Sequence, residues 1–247
     1  MYNDFAEVYD RLQDADYDKF VEFYEQVFQR LGIKPELVLD LACGTGNITL
    51  PMAKRGYDMI GLDMSVEMLN IARDKAYEEE QQILFLCQDM CEMELFGTVD
   101  AIVCALDGVN YITDYENLKK LFRLVQNYLN PGGVFVFDIN SVHKLKNVLG
   151  NNTFVNDEQG IFYVWQSEFS EETQICDFGL TFFEEQEDGS YERFDEFQQE
   201  RAYTVAEITQ AAEATGLEVT GIYKDFEFVT AADSDERIFF VVSKKIG

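Results

Sequence analysis

Basic residues are scarce: 19 Lys and Arg stand against 47 Asp and Glu, a formal net charge of −28 with a single His. Nucleic-acid affinity comes largely from cations that displace counterions from phosphates, so a surface of this sign disfavours DNA and RNA as partners. Anionic lipid headgroups are disfavoured for the same reason. Long apolar runs are missing too, and none approaches the length that spans a bilayer. Residues Met1 to Glu7 carry neither the basic nor the apolar stretch of a secretion signal. The five cysteines, Cys43, Cys87, Cys91, Cys104 and Cys176, are odd in number, scattered and without a CxxC pair. Such usage suits reduced thiols acting as small buried hydrophobes, so the expectation is a cytoplasmic protein with no metal site.

What is present suits a folded chain. A length of 247 residues with 47% hydrophobic residues can bury a full core in one domain, with room for an inserted subdomain. Phe20, Val21, Phe23, Tyr24, Val27, Phe28 and Leu31 fall at helical spacing, and Gly32 offers a stop. Leu37–Leu41 then reads as a buried strand, 47–55 as a helix, and Met59–Leu62 as a second strand ending at Asp63. Ser65 can cap a helix, Ile83–Cys87 and Val99–Ala105 read as strands, and Asp114 can cap a helix with Leu118, Leu121, Phe122, Val125 and Leu129 on one face. After Pro131-Gly132-Gly133 comes a fifth strand, Val134–Asp138. Strands separated by helix-length segments imply right-handed crossovers and a parallel sheet covered on both faces, an α/β fold.

From about Asn151 the period changes. Cys176, Phe178, Leu180 and Phe182 alternate with polar residues, Asp188-Gly189 signals a hairpin, and Tyr191–Tyr203 resumes the alternation. Residues 157–200 hold 14 acidic side chains and one basic, Arg193. The expectation is an acidic antiparallel β subdomain over 151–203, inserted into a domain made of 1–150 and 204–247. Thr204-Val205-Ala206-Glu207 is a capping box for a helix ending near Gly216, and strands over 218–226 and 237–244 close the chain.

Gly44 and Gly46 directly follow the first strand, where glycine lets the backbone approach a ligand and turn tightly into a helix. A dinucleotide fingerprint would need a third glycine at 49, which is Thr49, and the Gly-Lys-Ser/Thr ending of a phosphate-cradling loop is absent. Three carboxylates accompany the loop instead. Asp40 lies within the first strand, Asp63 ends the second, 19 residues after Gly44, and Asp89 follows the third. Open α/β sheets bind ligands at these strand ends, and a carboxylate such as Asp63 can accept from ribose hydroxyls. A nucleoside with a positively charged tail would suit such a wall, and a pyrophosphate would not.

These residues resemble the class I S-adenosylmethionine-dependent methyltransferases. The likeness rests on Val38-Leu39-Asp40-Leu41-Ala42-Cys43-Gly44-Thr45-Gly46, Gly61-Leu62-Asp63-Met64-Ser65, Gln88-Asp89-Met90 and Pro131-Gly132-Gly133, and it orders the segment from residue 1 to about 140. It implies a Rossmann-like seven-stranded, mostly parallel sheet whose last strand runs antiparallel. It also implies S-adenosylmethionine as cofactor. The loop of Ala42, Gly44 and Gly46 would face the methionyl portion, with Asp40 orienting the loop and the amino group. Asp63 would hold the ribose hydroxyls, Met64 would pack on adenine, and Gln88, Asp89 and Met90 would meet the adenine edge. Leu106 would line the methionyl side. The segment holding Tyr2, Phe5, Ala6, Tyr9, Asp10 and Tyr17 resembles one that closes over the cofactor in small-molecule enzymes, so Tyr9 and Tyr17 are carried over as contacts.

Methyl transfer from a sulfonium is an in-line displacement in which positioning supplies much of the catalysis, and a base is needed only for a protonated nucleophile. His143, Tyr111 and Asp107, with Asn110 beside them, are the candidates for that chemistry. The stretch Ala105-Leu106-Asp107-Gly108 lacks the Asn/Asp-Pro-Pro-Tyr/Phe motif of base-amino methylation, and there is no Pro-Cys pair to attack cytosine. A small-molecule acceptor follows, methylated on N or O, with Asn151–Tyr203 roofing it and Trp165, Phe162 or Phe178 lining it. A monomer or homodimer is expected. The alternatives are a protein or RNA methyltransferase, which needs a basic groove, and a non-catalytic S-adenosylmethionine-binding module, which needs a closed acceptor side.

Overall fold

A computed structural model describes residues 3–13 and 15–246. Tyr2 and the Phe5 side chain lie outside the described residues. Helices α1 (Asn3–Leu12) and α2 (Tyr17–Leu31) precede an alternating series: β1 (Leu37–Leu41), α3 (Thr49–Lys54), β2 (Asp58–Asp63), α4 (Val66–Glu78), β3 (Leu84–Cys87), β4 (Val99–Cys104), α5 (Tyr115–Tyr128) and β5 (Leu129–Asn140). Four strands follow, β6 (Thr153–Glu158), β7 (Ile161–Ser170), β8 (Ile175–Glu185) and β9 (Tyr191–Arg201), then α6 (Val205–Glu213), β10 (Leu217–Lys224) and β11 (Arg237–Lys244).

The local signals act as their chemistry dictates. Ser65 accepts from Met68 N at 3.2 Å, Asp114 accepts from Glu116 N and Asn117 N at 2.7 and 3.0 Å, and Thr204 and Glu207 complete a reciprocal capping box. Gly32 ends α2 at φ 69°, in the left-handed region. Helix α3 is shorter than its expected span, because the glycine loop runs on as turns to Ile48.

The main sheet has the order β10-β11-β5-β4-β1-β2-β3, and β11 runs antiparallel to both neighbours. Strand order reverses between β1 and β4, and it is outside the carboxyl ends of strands at such a switch that open α/β sheets bind ligands. Period-two alternation sorts the core into two layers. Leu39, Ile102, Cys104, Phe135, Phe137 and Phe240 pack with α5 and α6, while Val38, Ala101, Val103, Val136, Phe239 and Val241 pack with α2. Of the cysteines, Cys43, Cys91, Cys104 and Cys176 are buried and Cys87 is exposed, a departure from the all-buried expectation. Among the described residues no helix is long and apolar enough to cross a membrane.

The second sheet is wholly antiparallel in the order β6-β7-β8-β9. Its apolar face rests on the turn after β5, where Phe169, Cys176 and Phe178 meet Leu145 and Leu149, and on α1, where Ile161 and Phe182 meet Val8. An Arg11–Glu184 ion pair adds a second tie to α1. Strand β9 differs from its neighbours. Its inward face carries Glu196 and Glu200, 5% and 4% exposed, where β8 carries Phe178 and Phe182.

Candidate active site

The carboxyl ends of β1, β2, β3 and β4 surround a cavity of about 570 Å³. The loop after β1 turns through three left-handed residues, Ala42, Gly44 and Gly46. Only Gly44 of the two glycines is open: a Cβ there would meet nothing within 4 Å, whereas one at Gly46 would lie 2.6 Å from Leu50 Cδ1. Asp63 braces this loop from β2. Its Oδ2 accepts from Gly44 N and its Oδ1 from Ser65 N, each at 2.8 Å. Burial raises the Asp63 carboxyl above its ordinary range, and the bonds from Ser65 and Gly44 oppose that rise.

Asp40 sits 1% exposed at the cavity base and accepts from Thr49 Oγ1 at 2.6 Å. Burial pushes it up to about 7 against that hydrogen bond. Asp89 caps a short 3-10 turn through Cys91 N at 2.7 Å. The Gln88 side chain is committed to Glu94, accepting from its N–H at 2.8 Å and donating to its carbonyl at 3.3 Å.

Helix α1 is tied to the glycine loop by a polar cluster. Asp10 accepts from Thr45 Oγ1 at 2.6 Å and Asn47 Nδ2 at 2.8 Å, and pairs with Lys75 at 2.5 Å. Burial works against the Asp10 charge, but the hydrogen bonds from Lys75, Thr45 and Asn47 outweigh it and hold the carboxyl below its usual range. Asn47 also donates to the Tyr17 hydroxyl at 2.9 Å. Tyr9 and Tyr17 both face the cavity through this arrangement.

Of the twelve residues expected at the cofactor, Tyr9, Tyr17, Asp40, Ala42, Gly44, Asp63, Met64, Gln88, Asp89, Met90 and Leu106 line the cavity. Gly46 does not, because it packs against α3 and α4. Among the expected catalytic residues Tyr111 lines it, with its hydroxyl donating to Gln198 Oε1 at 3.1 Å. Asp107 lies behind the wall, with φ 55° and its carboxyl hydrogen-bonded to that of Glu200. His143 is not brought to the cavity. It heads the turn after β5, with Nδ1 3.1 Å from Asn147 Nδ2.

The roof also departs from expectation. Glu196, Phe197, Gln198 and Gln199 of β9 line the cavity; Trp165, Phe162 and Phe178 do not. Phe178 and Trp165 pack toward Leu145 and Leu149, and the Phe162 ring lies 6.1 Å from that of Phe183. The reason is sheet order: β7 and β8 are interior strands seated on the rest of the protein, and the edge strand β9 overhangs the cavity. Thr45, Asn47, Thr113 and the β9 residues are lining positions that sequence reasoning missed. Thr45 and Asn47 flank the glycines, a usable signal, whereas nothing local marks β9 as the overhanging edge.

Among the described residues the lining holds five carboxylates, Asp40, Asp63, Glu67, Asp89 and Glu196, and no Lys, Arg or His. Such a wall rejects pyrophosphate and accepts a nucleoside bearing a sulfonium and an ammonium, so the residues present fit S-adenosylmethionine.

Comparison with known proteins agrees with that geometry. The model of a family described as methyltransferase domain matches residues 38–133. YqeM of Bacillus subtilis (strain 168), which bears a methyltransferase name, is 34% identical over 246 residues, covering 99% of this chain and 97% of YqeM. The crystal structure of an S-adenosylmethionine-dependent methyltransferase from Clostridium acetobutylicum ATCC 824 superposes with a TM-score of 0.91 at 35% identity, covering 99% of both chains. At 19% identity, S-adenosylmethionine-bound CalS10 of Micromonospora echinaspora, an amino pentose methyltransferase, shares the fold with a TM-score of 0.77 over 97% of this chain and 96% of its own. Together the cavity and these relatives place the chain among the S-adenosylmethionine-dependent methyltransferases.

Proposed function

We propose that the chain transfers the methyl group of S-adenosylmethionine to a nitrogen or oxygen of a small molecule, with residues 151–203 forming the roof of the acceptor side. One observation carries this reading. The cavity has the size of small-molecule sites, about 300–1,000 Å³, is overhung by β9, and among the described residues presents no Lys, Arg or His side chain to a nucleic-acid backbone. The likeness in fold to CalS10, which acts on an amino pentose, is in keeping with it.

In this reading the cofactor supplies an electrophilic methyl. Asp63 holds the ribose hydroxyls and, through Gly44 N and Ser65 N, the shape of the loop. Tyr111 and Gln198 face the acceptor as a hydrogen-bonded pair. With its hydroxyl held on Gln198, Tyr111 orients the nucleophile in line with the methyl, the term that dominates a displacement of this kind. Incubation with labelled S-adenosylmethionine and separated cell fractions tests the acceptor class. Label is expected in compounds of low molecular mass, and label confined to protein or nucleic acid would reject the reading.

Asp40 yields a pH prediction. Its carboxyl is raised to about 7, so the stability it lends the ligand-free protein is present below the ordinary carboxylate range and is lost as pH rises through about 7. An ammonium bound beside it favours the ionised form. Affinity for S-adenosylhomocysteine is therefore expected to tighten between pH 6 and 8, by about tenfold. Asp40→Asn should bind more weakly with a flat profile, as read by calorimetry at several pH values. An unchanged profile in that variant would place the titrating group elsewhere.

A further inference from the structure

Strand β9 turns Glu196, Gln198 and Glu200 inward, and the first two line the cavity. Four of the lining carboxylates are engaged on the cofactor side. Asp40 holds Thr49 Oγ1, Asp63 holds Gly44 N and Ser65 N, and Asp89 holds Cys91 N. Glu67 of α4 accepts from Ser65 Oγ at 3.1 Å. Among the described lining residues only Glu196 brings a carboxylate from the roof, and it is 5% exposed.

Its neighbour is a neutral amide. The Tyr111 hydroxyl donates to Gln198 Oε1 at 3.1 Å, which leaves the Gln198 N–H group to donate to Glu196. That bond uses one of about four lone-pair sites on the carboxylate and does not compensate its charge. A buried charge without an opposite charge is costly, and burial raises the Glu196 carboxyl above its ordinary range against the Gln198 bond. Around the Tyr111 hydroxyl stand Glu200, Asp107, Tyr9 and Glu196. The side-chain cations Lys144 and Arg237 act on Asp107, and Lys144 on Glu200. Among the described residues no side-chain cation does the same for Glu196.

Two rings with exposed surface, Tyr111 and Phe197, line the same cavity. A ring face attracts a cation, the more so when the cation is desolvated. Carboxylate and rings thus suit one kind of guest, a positively charged nitrogen. A hydroxyl would bring no charge to compensate Glu196.

We infer that the methyl acceptor is a primary or secondary amine, that Glu196 receives its ammonium, and that Glu196 takes the proton this nitrogen must lose. The inference rests on the small-molecule reading above and narrows nitrogen or oxygen to nitrogen. Burial penalises a carboxylate and an ammonium alike, so a pair shut away from water passes the proton from nitrogen to Glu196. The freed lone pair forms the new N–C bond to the methyl, and the electrons of the C–S bond return to sulfur. The product leaves as an N-methylammonium, and Glu196 gives its proton to solvent.

The test uses the full chain, labelled S-adenosylmethionine and the low-mass fraction of a cell extract. One portion of the fraction is left untreated. The other is N-acetylated with acetic anhydride and then freed of esters by mild alkali. Label is expected in products of the untreated portion that a cation exchanger retains at pH 4, and it should be lost after acetylation. Glu196→Gln should lower the rate about 100-fold at pH 7, with affinity for S-adenosylhomocysteine unchanged. The rate of this variant should then climb about tenfold per pH unit between 7 and 9, as the free fraction of an amine with pKa about 10 does. Wild type should change less, and Glu196→Asp should restore part of the rate. A merely structural role would lower the rate equally at every pH. Label that survives acetylation, a wild-type rate in Glu196→Gln, or an equal deficit at pH 7 and 9 overturns the inference and leaves the small-molecule reading standing. No low-mass label from the untreated portion rejects that reading, and the inference with it.

Discussion

Replacing Asp63 by Ala is expected to weaken binding of S-adenosylmethionine and S-adenosylhomocysteine by about 100-fold or more. The magnitude follows from the number of bonds that meet at one carboxylate. Its two oxygens already hold Gly44 N and Ser65 N at 2.8 Å, so it fixes the loop after β1 and the start of α4 together. A bound ribose would add hydrogen bonds to the same ionised group, each worth about 1.5–3 kcal/mol. Alanine removes the ligand contacts and also frees the loop that shapes the methionyl side. Asp63→Asn should fall between the two, because an amide keeps one acceptor oxygen and can brace only one of the two N–H groups. Calorimetric titration of the three proteins reads this order directly. Wild-type affinity in Asp63→Ala would remove the ribose contact from the account.

Gly46→Val is the second large effect, and it should appear as lost stability. A Cβ at this position lies 2.6 Å from Leu50 Cδ1 and 3.2 Å from Ala72 Cβ, between α3 and α4. The residue also holds φ 81°, a left-handed conformation that costs an L-residue about 1–2 kcal/mol. Overpacking adds about 1–3 kcal/mol, for a sum of about 3 kcal/mol and a melting temperature lower by roughly 10 °C. Gly44→Ala gives the contrast. Its φ of 53° is strained, but a Cβ there meets nothing within 4 Å, so the stability loss should be about 1 kcal/mol. The larger effect at Gly44 should be on cofactor affinity, since its Cβ would project beside the ligand. Equal stability losses in the two variants would contradict the division of labour between the glycines.

That division was not legible in the sequence, where Gly44 and Gly46 belong to one motif. Their difference is set by which helices pack behind the loop, a tertiary matter. Most of the fold was legible because its signals are local. Ser65, Asp114 and Thr204 cap helices by bonds that span two or three residues, and the alternation of Val38 with Leu39, or Val134 with Phe135, assigns each residue to one face of a covered sheet. The residues that line the cavity at the strand ends were readable for a related reason. Asp40, Asp63, Asp89 and Leu106 sit in or just after consecutive strands, and parallel topology gathers those ends whatever the loops do.

The acceptor side was poorly legible. His143 stands near the expected mouth in sequence, yet the turn over Lys144–Leu149 leaves it beside Asn147. The aromatic candidates Trp165 and Phe178 have the period of a half-buried strand, and it is their sheet neighbours that decide what they face. The inward row of Glu196, Gln198 and Glu200 reads as an exposed polar face in sequence, and only the overhang of β9 makes it a buried one. Lys75 likewise gives no local sign that it will meet Asp10 from α4.

Titration of S-adenosylmethionine into the wild-type chain, with S-adenosylhomocysteine and NAD as competitors, tests the central claim most directly. The carboxylate wall and braced glycine loop predict saturable binding of one S-adenosylmethionine per chain, displaced by S-adenosylhomocysteine and untouched by NAD. Binding of NAD with no uptake of S-adenosylmethionine would contradict the account.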